Sequence, residues 1–315
     1  MNLKTDKQLD IVKDQFGNKI FIIEKLCEFR EQDIFCDVTI RCDDERTFDA
    51  HRLVLAAASP YFRAMFQNNM TERSQHIVHL QGVDSASLNA LIDYAYTANI
   101  GLNVDTIANL LSTANMLRFE EVEKVCVEFL CKNLNVTNCV DVCAIADTLN
   151  LEELHDITEV YMTKHFRWLV KHSKFSAVTP KQLESVISSD RLRVSCETEV
   201  FKAVLSWVRF EPEARLKYLA GLLRHVRLTL LSRKYLIDIV MREPLVMDDY
   251  ECRTQVLATL DHFLLPERRK TTCQHNCIPR NDGDKILFVI GGQGLCESII
   301  CLFCKLFWVL DVSKQ

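Results

Sequence analysis

Apolar residues recurring at helical spacing constrain this chain more than any other feature. Leu88, Leu91, Ile92 and Ala95 stand at i, i+3, i+4 and i+7 behind a possible Ser85 cap. Ile107, Leu110, Leu111 and Ala114 repeat the spacing, and Val122, Val125, Cys126, Phe129 and Leu130 form a third stripe. Residues in this register share one helix face, which must be covered by another element. Glycine (8) and proline (6) are too scarce among 315 residues to interrupt many such helices.

The first 133 residues also hold a little strand. Cys36-Asp37-Val38-Thr39-Ile40 alternates polar and apolar positions, Asp43-Asp44-Glu45-Arg46 supplies a turn, and Thr47-Phe48-Asp49-Ala50 a return strand, which predicts a hairpin. Ser59-Pro60 reads as an N-cap followed by proline at the first helical position, with a short helix from Tyr61 to Phe66. Helices stacked on a small sheet make this part α+β.

From about 134 to 270 strand signals nearly vanish. Stripes such as Val200, Phe201, Val204, Leu205 and Val208 follow one another with short polar joints, and Glu197 and Glu199 stand where carboxylates complement the dipole of that helix. An all-helical domain is expected, and without a fixed repeat it is not read as a solenoid. Pro266 to Gly283 is polar and broken, so residues 271–283 are expected to be a linker. Beyond it, Lys285-Ile286-Leu287-Phe288-Val289-Ile290 reads as a buried strand ending at Gly291-Gly292.

Composition narrows the function classes. The 38 Lys and Arg against 43 Asp and Glu give a net charge of −5, so nothing drives counterion release from nucleic acid. Many of the fourteen cysteines (Cys126, Cys131, Cys139, Cys143) fall within amphipathic helical patterns, where a thiol behaves as a small hydrophobe. The first residues lack the apolar core of a signal peptide, and both observations predict free thiols in a reducing, cytoplasmic setting. The longest apolar stretch, Ile299 to Leu310, contains Lys305 and is shorter than the roughly 20 residues of a membrane span, so no membrane segment is expected.

FCDVTI followed by TFDAHRLVLAAASPYFRAMF (Thr47 to Phe66) resembles the BTB/POZ domain of the kelch-like family. LNVTNCVDVCAIAD, VISSDRLRV, VFKAVLSWV, LLRHVRLTLLSRKYL and HFLLPERR resemble the BACK domain that follows it in those proteins. The resemblance implies a BTB/POZ domain over 1–133, a BACK domain over 134–270, and an incomplete first kelch repeat with a divergent tail over 284–315. A kelch unit runs about 50 residues and a propeller needs at least about four blades, so the β-propeller is expected to be absent apart from one incipient strand.

The resemblance further implies a substrate-adaptor core of a cullin-3 ubiquitin ligase. Family BTB domains dimerise through the first helix and the hairpin edge, which places Ile20, Ile23, Leu26 and Cys27 at the interface with a second copy or a related BTB protein. Asp37 and Arg52 align with a charged pair that many BTB dimers place near their shared floor, where a buried carboxylate can be matched by an arginine. The cullin-facing surface is implied at Met65, Phe66, Met70 and Glu72: a flexible methionine can fill an apolar hollow on a partner helix while a carboxylate fixes register. The first two BACK helices, about Thr137 to Val170, resemble the "3-box" that completes the cullin groove. One departure is Cys196, where the family usually has serine and where Ser195 could shift in as the cap.

Other classes fit less well. No G-x-S-x-G elbow, Walker loop or H-E-x-x-H pair occurs, so no catalytic residue is assigned. Gly291-Gly292-Gln293-Gly294 lacks a phosphate-binding register, and Cys273, His275, Cys277, Cys301 and Cys304 are a weak zinc pattern, so no cofactor and no metal is expected. The alternative to a ligase adaptor is a BTB interaction scaffold that is actin-associated or a transcriptional co-regulator, but no DNA reader is encoded and actin binding in the family normally uses the propeller.

Overall fold

The alternation in FCDVTI and TFDA becomes a hairpin. Strand β1 (Val38–Arg41) pairs antiparallel with β2 (Thr47–Ala50), Val38 opposite Ala50 and Arg41 opposite Thr47. Val38 and Ile40 point inward and are fully buried, while Thr39 and Arg41 face partly outward, as the two-residue period of a strand requires. The turn closes with the Cys42 N–H donating to the Arg46 carbonyl at 3.0 Å, and Glu45 takes a left-handed backbone at φ 64°.

The computed structural model describes residues 17–67, 75–264 and 278–280. The chain divides into two units, one of residues up to Asn133 with Thr148–Asn150, the other of Leu134–Asp147 and the chain from Leu151 on.

In the first unit a third strand, β3 (Ile77–His79), lies parallel to β1, so the sheet order is β2-β1-β3. Parallel neighbours need a crossover, and the chain between them contains α2 (Arg52–Ala58) and α3 (Pro60–Gln67). Ser59 is fully buried; its Oγ accepts from the Phe62 N–H at 3.2 Å and donates to the Leu117 carbonyl at 2.6 Å. It thus starts α3 and ties it to the distant chain. Gly82, at φ 70°, occupies backbone space that favours glycine, and its N–H donates to Asp43 Oδ2 at 2.6 Å.

The other described helices of this unit are α1 (Gly17–Glu31), α4 (Ser85–Thr97), α5 (Ile107–Met116) and α6 (Glu120–Lys132). Leu88, Leu91, Ile92, Ile107, Leu110, Leu111 and Ala114 are all buried, as their spacing predicts. Val125 is 42% exposed: the covered stripe of α6 is Val122, Cys126 and Leu130, at a spacing of four, and Val125 falls beside it.

The cap of α4 is Asp84 rather than Ser85. The Asp84 carboxylate accepts from the Ser87 N–H at 2.8 Å and the Ser87 hydroxyl at 2.7 Å, whereas the Ser85 hydroxyl donates to Asp44 Oδ2 at 2.7 Å. That bond holds the Asp44 carboxyl below its usual range. Asp84→Ala is expected to lower stability by about 0.5–2 kcal/mol, read as a reduced urea midpoint; an unchanged midpoint would count against this cap.

The second unit is helical throughout its described secondary structure: α7 (Cys139–Leu149), α8 (Glu152–Leu169), α9 (Pro180–Ser188), α10 (Glu197–Phe210), α11 (Pro212–Arg215), α12 (Leu219–His225), α13 (Arg233–Asp238), α14 (Pro244–Met247) and α15 (Tyr250–Leu264), with short 3-10 turns between some of them. Val200, Phe201, Val204, Leu205 and Val208 are buried as predicted, and Ala203 and Trp207 join them, so α10 is the central rod of this core. The Trp207 indole N–H donates to the Val178 carbonyl at 2.8 Å, and the Arg215 guanidinium lies 4.4 Å from the Trp207 ring centroid. Thr179 and Gln182 form a reciprocal capping box on α9, with Pro180 at its first position.

Two details of α10 differ from expectation. Cys196 is the N-cap residue but makes no side-chain cap bond, and Ser195 does not replace it; instead Glu199 Oε2 accepts from the Ser195 N–H at 3.3 Å. Glu197, in the first turn of α10 as expected, is 5% exposed and pairs with Arg280, from the stretch expected as a linker. The Arg280 Nε donates to Glu197 Oε1 at 2.5 Å, and its terminal nitrogens donate to Glu197 Oε2 and to the carbonyls of Ile187, Ser189 and His225 at 2.6–3.2 Å. A desolvated charge pair is tolerated when both ions are saturated in this way. The Arg227 N–H adds a bond to Glu197 Oε2, and its guanidinium reaches the Ile278 carbonyl and Asp190.

No described helix is long and apolar enough to cross a membrane. The terminal strand run with Gly291–Gly294, and Cys273, His275, Cys277, Cys301 and Cys304, lie outside the described residues.

Candidate functional site

Helix α1 has no single apolar face: in Gly-Asn-Lys-Ile-Phe-Ile-Ile-Glu-Lys-Leu-Cys-Glu-Phe-Arg-Glu, successive apolar residues point in different directions. Covering it fully would take more than one neighbour. Within its own unit it packs on α4. There Cys27 Sγ approaches the Tyr96 carbonyl at 3.4 Å, and Arg30 donates to Asp93 Oδ1 at 2.7 Å and to the Asp49 carbonyl at 3.2 Å. In its N-terminal half, Phe21, Ile22 and Ile23 are exposed at 54%, 54% and 48%. Leu26 and Cys27 are half-buried, and Ile20 lies in the first turn, its side chain outside the described set.

Beside α1 runs a groove of about 640 Å³ lined by Leu26, Phe35, Leu53, Val54 and Ala57, among others, with Asp37 and His51 in its walls. Its base is fixed by polar contacts. The Tyr96 hydroxyl accepts from the His51 N–H at 2.8 Å and lies 2.7 Å from His51 Nδ1, while Nε2 is 3.0 Å from the Ile34 carbonyl. These partners fit a neutral imidazole protonated on Nε2, with the Tyr96 hydroxyl donating to Nδ1. Burial pushes the Tyr96 phenol up to about 12, so it keeps the proton it donates.

Two residues that sequence reasoning missed dominate the rim. Phe35 is 76% exposed and Leu53 is 81% exposed. Phe35 adopts φ 61°, a left-handed conformation that is strained for an aromatic residue, and its ring rests edge-on against Phe29 with centroids 5.5 Å apart. Such strain persists only where the surroundings enforce it, and it concentrates at functional surfaces. The nearest sequence signal is the Asp33-Ile34-Phe35 stretch between helix and strand; nothing local announces its backbone.

Asp37 and Arg52 come together within the single chain. Asp37 is exposed, and its carboxylate accepts from the Arg52 main-chain N–H at 2.7 Å, satisfying an open donor at the start of α2. The Arg52 Nε donates to the Asp37 carbonyl at 3.2 Å, another guanidinium nitrogen reaches the Gln75 carbonyl, and the guanidinium lies 4.8 Å from the Phe66 ring centroid. Arg52 thus links the candidate dimer residues to α3.

Met65 and Phe66 are half-buried at the end of α3, with the Phe66 ring stacked on Phe62 at 5.8 Å. Met70 and Glu72 lie outside the described residues. Among the described cysteines, burial raises Cys126 and Cys252 to about 12 and Cys139 to about 11, so these thiols stay protonated and unreactive at neutral pH.

Comparison with known proteins matches this arrangement to two family models: a BTB/POZ domain over residues 26–134 and BACK, "BTB And C-terminal Kelch", over residues 139–241. Human Kelch-like protein 3 is 37% identical over 269 residues, covering 84% of this chain and 46% of that protein. Human Kelch-like protein 2 is 38% identical over 270 residues, covering 84% of this chain and 45% of that protein. A solved structure of the BTB domain of zebrafish PATZ1 matches with 26% identity and a TM-score of 0.33, covering 36% of this chain and 92% of that one. The chain spans about half the length of the curated relatives it matches. With both domain types present in the same order and this identity across them, the chain belongs to the BTB–BACK family of kelch-like proteins.

Proposed function

We propose that this chain is a non-catalytic, cytoplasmic adaptor: its BTB unit pairs with a second copy or a related BTB protein and presents the end of α3 and the following segment to cullin-3. The observation that carries the reading is a preformed groove lined by the exposed Phe35 and Leu53 together with Leu26 of α1, a helix on which Phe21, Ile22 and Ile23 are exposed as well. Contiguous apolar surface rimmed by polar groups is characteristic of protein association sites. Its place on a BTB unit favours a symmetric partner, because the same patch can then cover itself across a two-fold axis.

The cullin assignment rests on the family resemblance. Met65 and Phe66 supply apolar contact, Met70 an adaptable anchor and Glu72 a hydrogen-bonding carboxylate. Glu72→Ala is expected to weaken binding to the cullin-3 N-terminal domain by about 1–3 kcal/mol, as for loss of one partner of a charged hydrogen bond. A calorimetric titration gives the value directly, and affinity equal to that of the unaltered chain would remove Glu72 from the interface.

A further inference from the structure

Cys143 and Asp147 stand one turn apart on α7, and His155 lies in the first turn of α8. Residues at i and i+4 share a helix face, and that face of α7 meets the start of α8. The Cys143 sulfur, an Asp147 carboxylate oxygen and a His155 ring nitrogen all lie within 4.8 Å of one another. His155 Nε2 is 3.3 Å from Asp147 Oδ1, while Nδ1 turns away toward Asp156 at 3.8 Å and Glu159 at 3.9 Å.

We propose that Cys143, Asp147 and His155 form a zinc-binding site within the helical unit. The donor set is one sulfur, one imidazole nitrogen and one carboxylate oxygen, which suits zinc; magnesium and calcium favour oxygen alone. Ligand atoms bound to tetrahedral zinc at roughly 2.0–2.3 Å stand about 3.3–3.8 Å apart. The cluster therefore needs only a small closure.

The surroundings are those a metal site requires. A ligating histidine usually donates its second ring N–H to a carboxylate, and here Glu159 and Asp156 face Nδ1. Glu159 is itself held by the Ser185 hydroxyl at 2.6 Å. The Gln182 amide donates to Asp147 Oδ2 at 3.2 Å, leaving Oδ1 on the side of His155. Cys143 is fully buried, whereas the Asp147 and His155 side chains are 35% and 28% exposed, so an ion can enter from that side and keep a water as fourth ligand. On binding, the Cys143 thiol gives its proton to solvent and the sulfur bonds the ion as thiolate. Such an ion would cross-link α7 to α8.

The test is zinc titration of the full chain, reduced and stripped with a chelator, against a competing zinc indicator, with Co²⁺ as a spectroscopic probe of thiolate ligation. The chain has fourteen cysteines, so the signal is the difference between the unaltered protein and its variants. Cys143→Ser is expected to remove a sulfur-to-cobalt charge-transfer band. Asp147→Asn and His155→Gln, at partly exposed positions where folding is preserved, are each expected to lower zinc affinity at least about tenfold, and zinc should raise the thermal midpoint of the unaltered chain but not of these variants. Equal zinc uptake and identical cobalt spectra across all four proteins, or no zinc bound by the unaltered chain, would overturn the site.

Discussion

Arg280→Ala is expected to destabilise the helical unit by about 3–5 kcal/mol, because it leaves Glu197 as an uncompensated buried charge. Both side chains are 4% exposed. The guanidinium also satisfies the carbonyls of Ile187, Ser189 and His225, so its removal opens acceptors at the end of α9, in the loop after it and at the end of α12. The control is a double variant, Arg280→Met with Glu197→Met. Replacing a whole buried pair by apolar residues of similar volume is often neutral or stabilising, whereas removing one partner is not. Recovery of most of the lost stability in the double variant would therefore assign the cost to the unpaired carboxylate. Urea unfolding followed by circular dichroism gives both values, and an Arg280→Ala midpoint matching that of the unaltered chain would show that Arg280 does not anchor this unit.

The second large effect is expected at the exposed rim of the BTB unit. In the proposed dimer, Ile23 and Leu53 become covered by the partner. Ile23→Asp and Leu53→Asp would each place a carboxylate there without a matching cation, at a cost of several kcal/mol. The dimer dissociation constant should then rise by two or more orders of magnitude, since about 1.4 kcal/mol corresponds to a factor of ten. Because both residues are about half or more exposed in the single chain, the fold itself should be little affected. Sedimentation velocity across a concentration series distinguishes the cases. Dimers of undiminished strength in both variants would move the interface elsewhere.

The helical stripes were readable because their information is local: Leu88 to Ile92 and Val200 to Val208 carry the 3.6-residue period within a few turns. The hairpin and the Ser59-Pro60 start of α3 were legible for the same reason. What escaped depends on contacts distant in sequence. Asp84 rather than Ser85 caps α4 because the Ser85 hydroxyl is drawn to Asp44, 41 residues earlier. Arg280 lies 83 residues from Glu197, so a polar stretch that reads as linker hides a buried anchor. Leu53, within Leu-Val-Leu-Ala-Ala-Ala, looks like core until the helix is placed, when Leu55 turns inward and Leu53 outward. Phe35 is exposed through a left-handed backbone that its residue type disfavours, the opposite of what propensity suggests. Of the residues proposed from the sequence, Ile23, Leu26 and Cys27 lie together on α1, and Asp37 and Arg52 meet through the main chain.

The proposed adaptor role requires one ability, that of a paired BTB unit to hold cullin-3. Light scattering coupled to size exclusion, run on the full chain alone and with the cullin-3 N-terminal domain, reads pairing and capture in one experiment. The expected result is twice the mass of a 36.4 kDa chain alone, rising by two cullin domains on mixing. A mass of one chain that stays unchanged when the cullin domain is added would contradict the account.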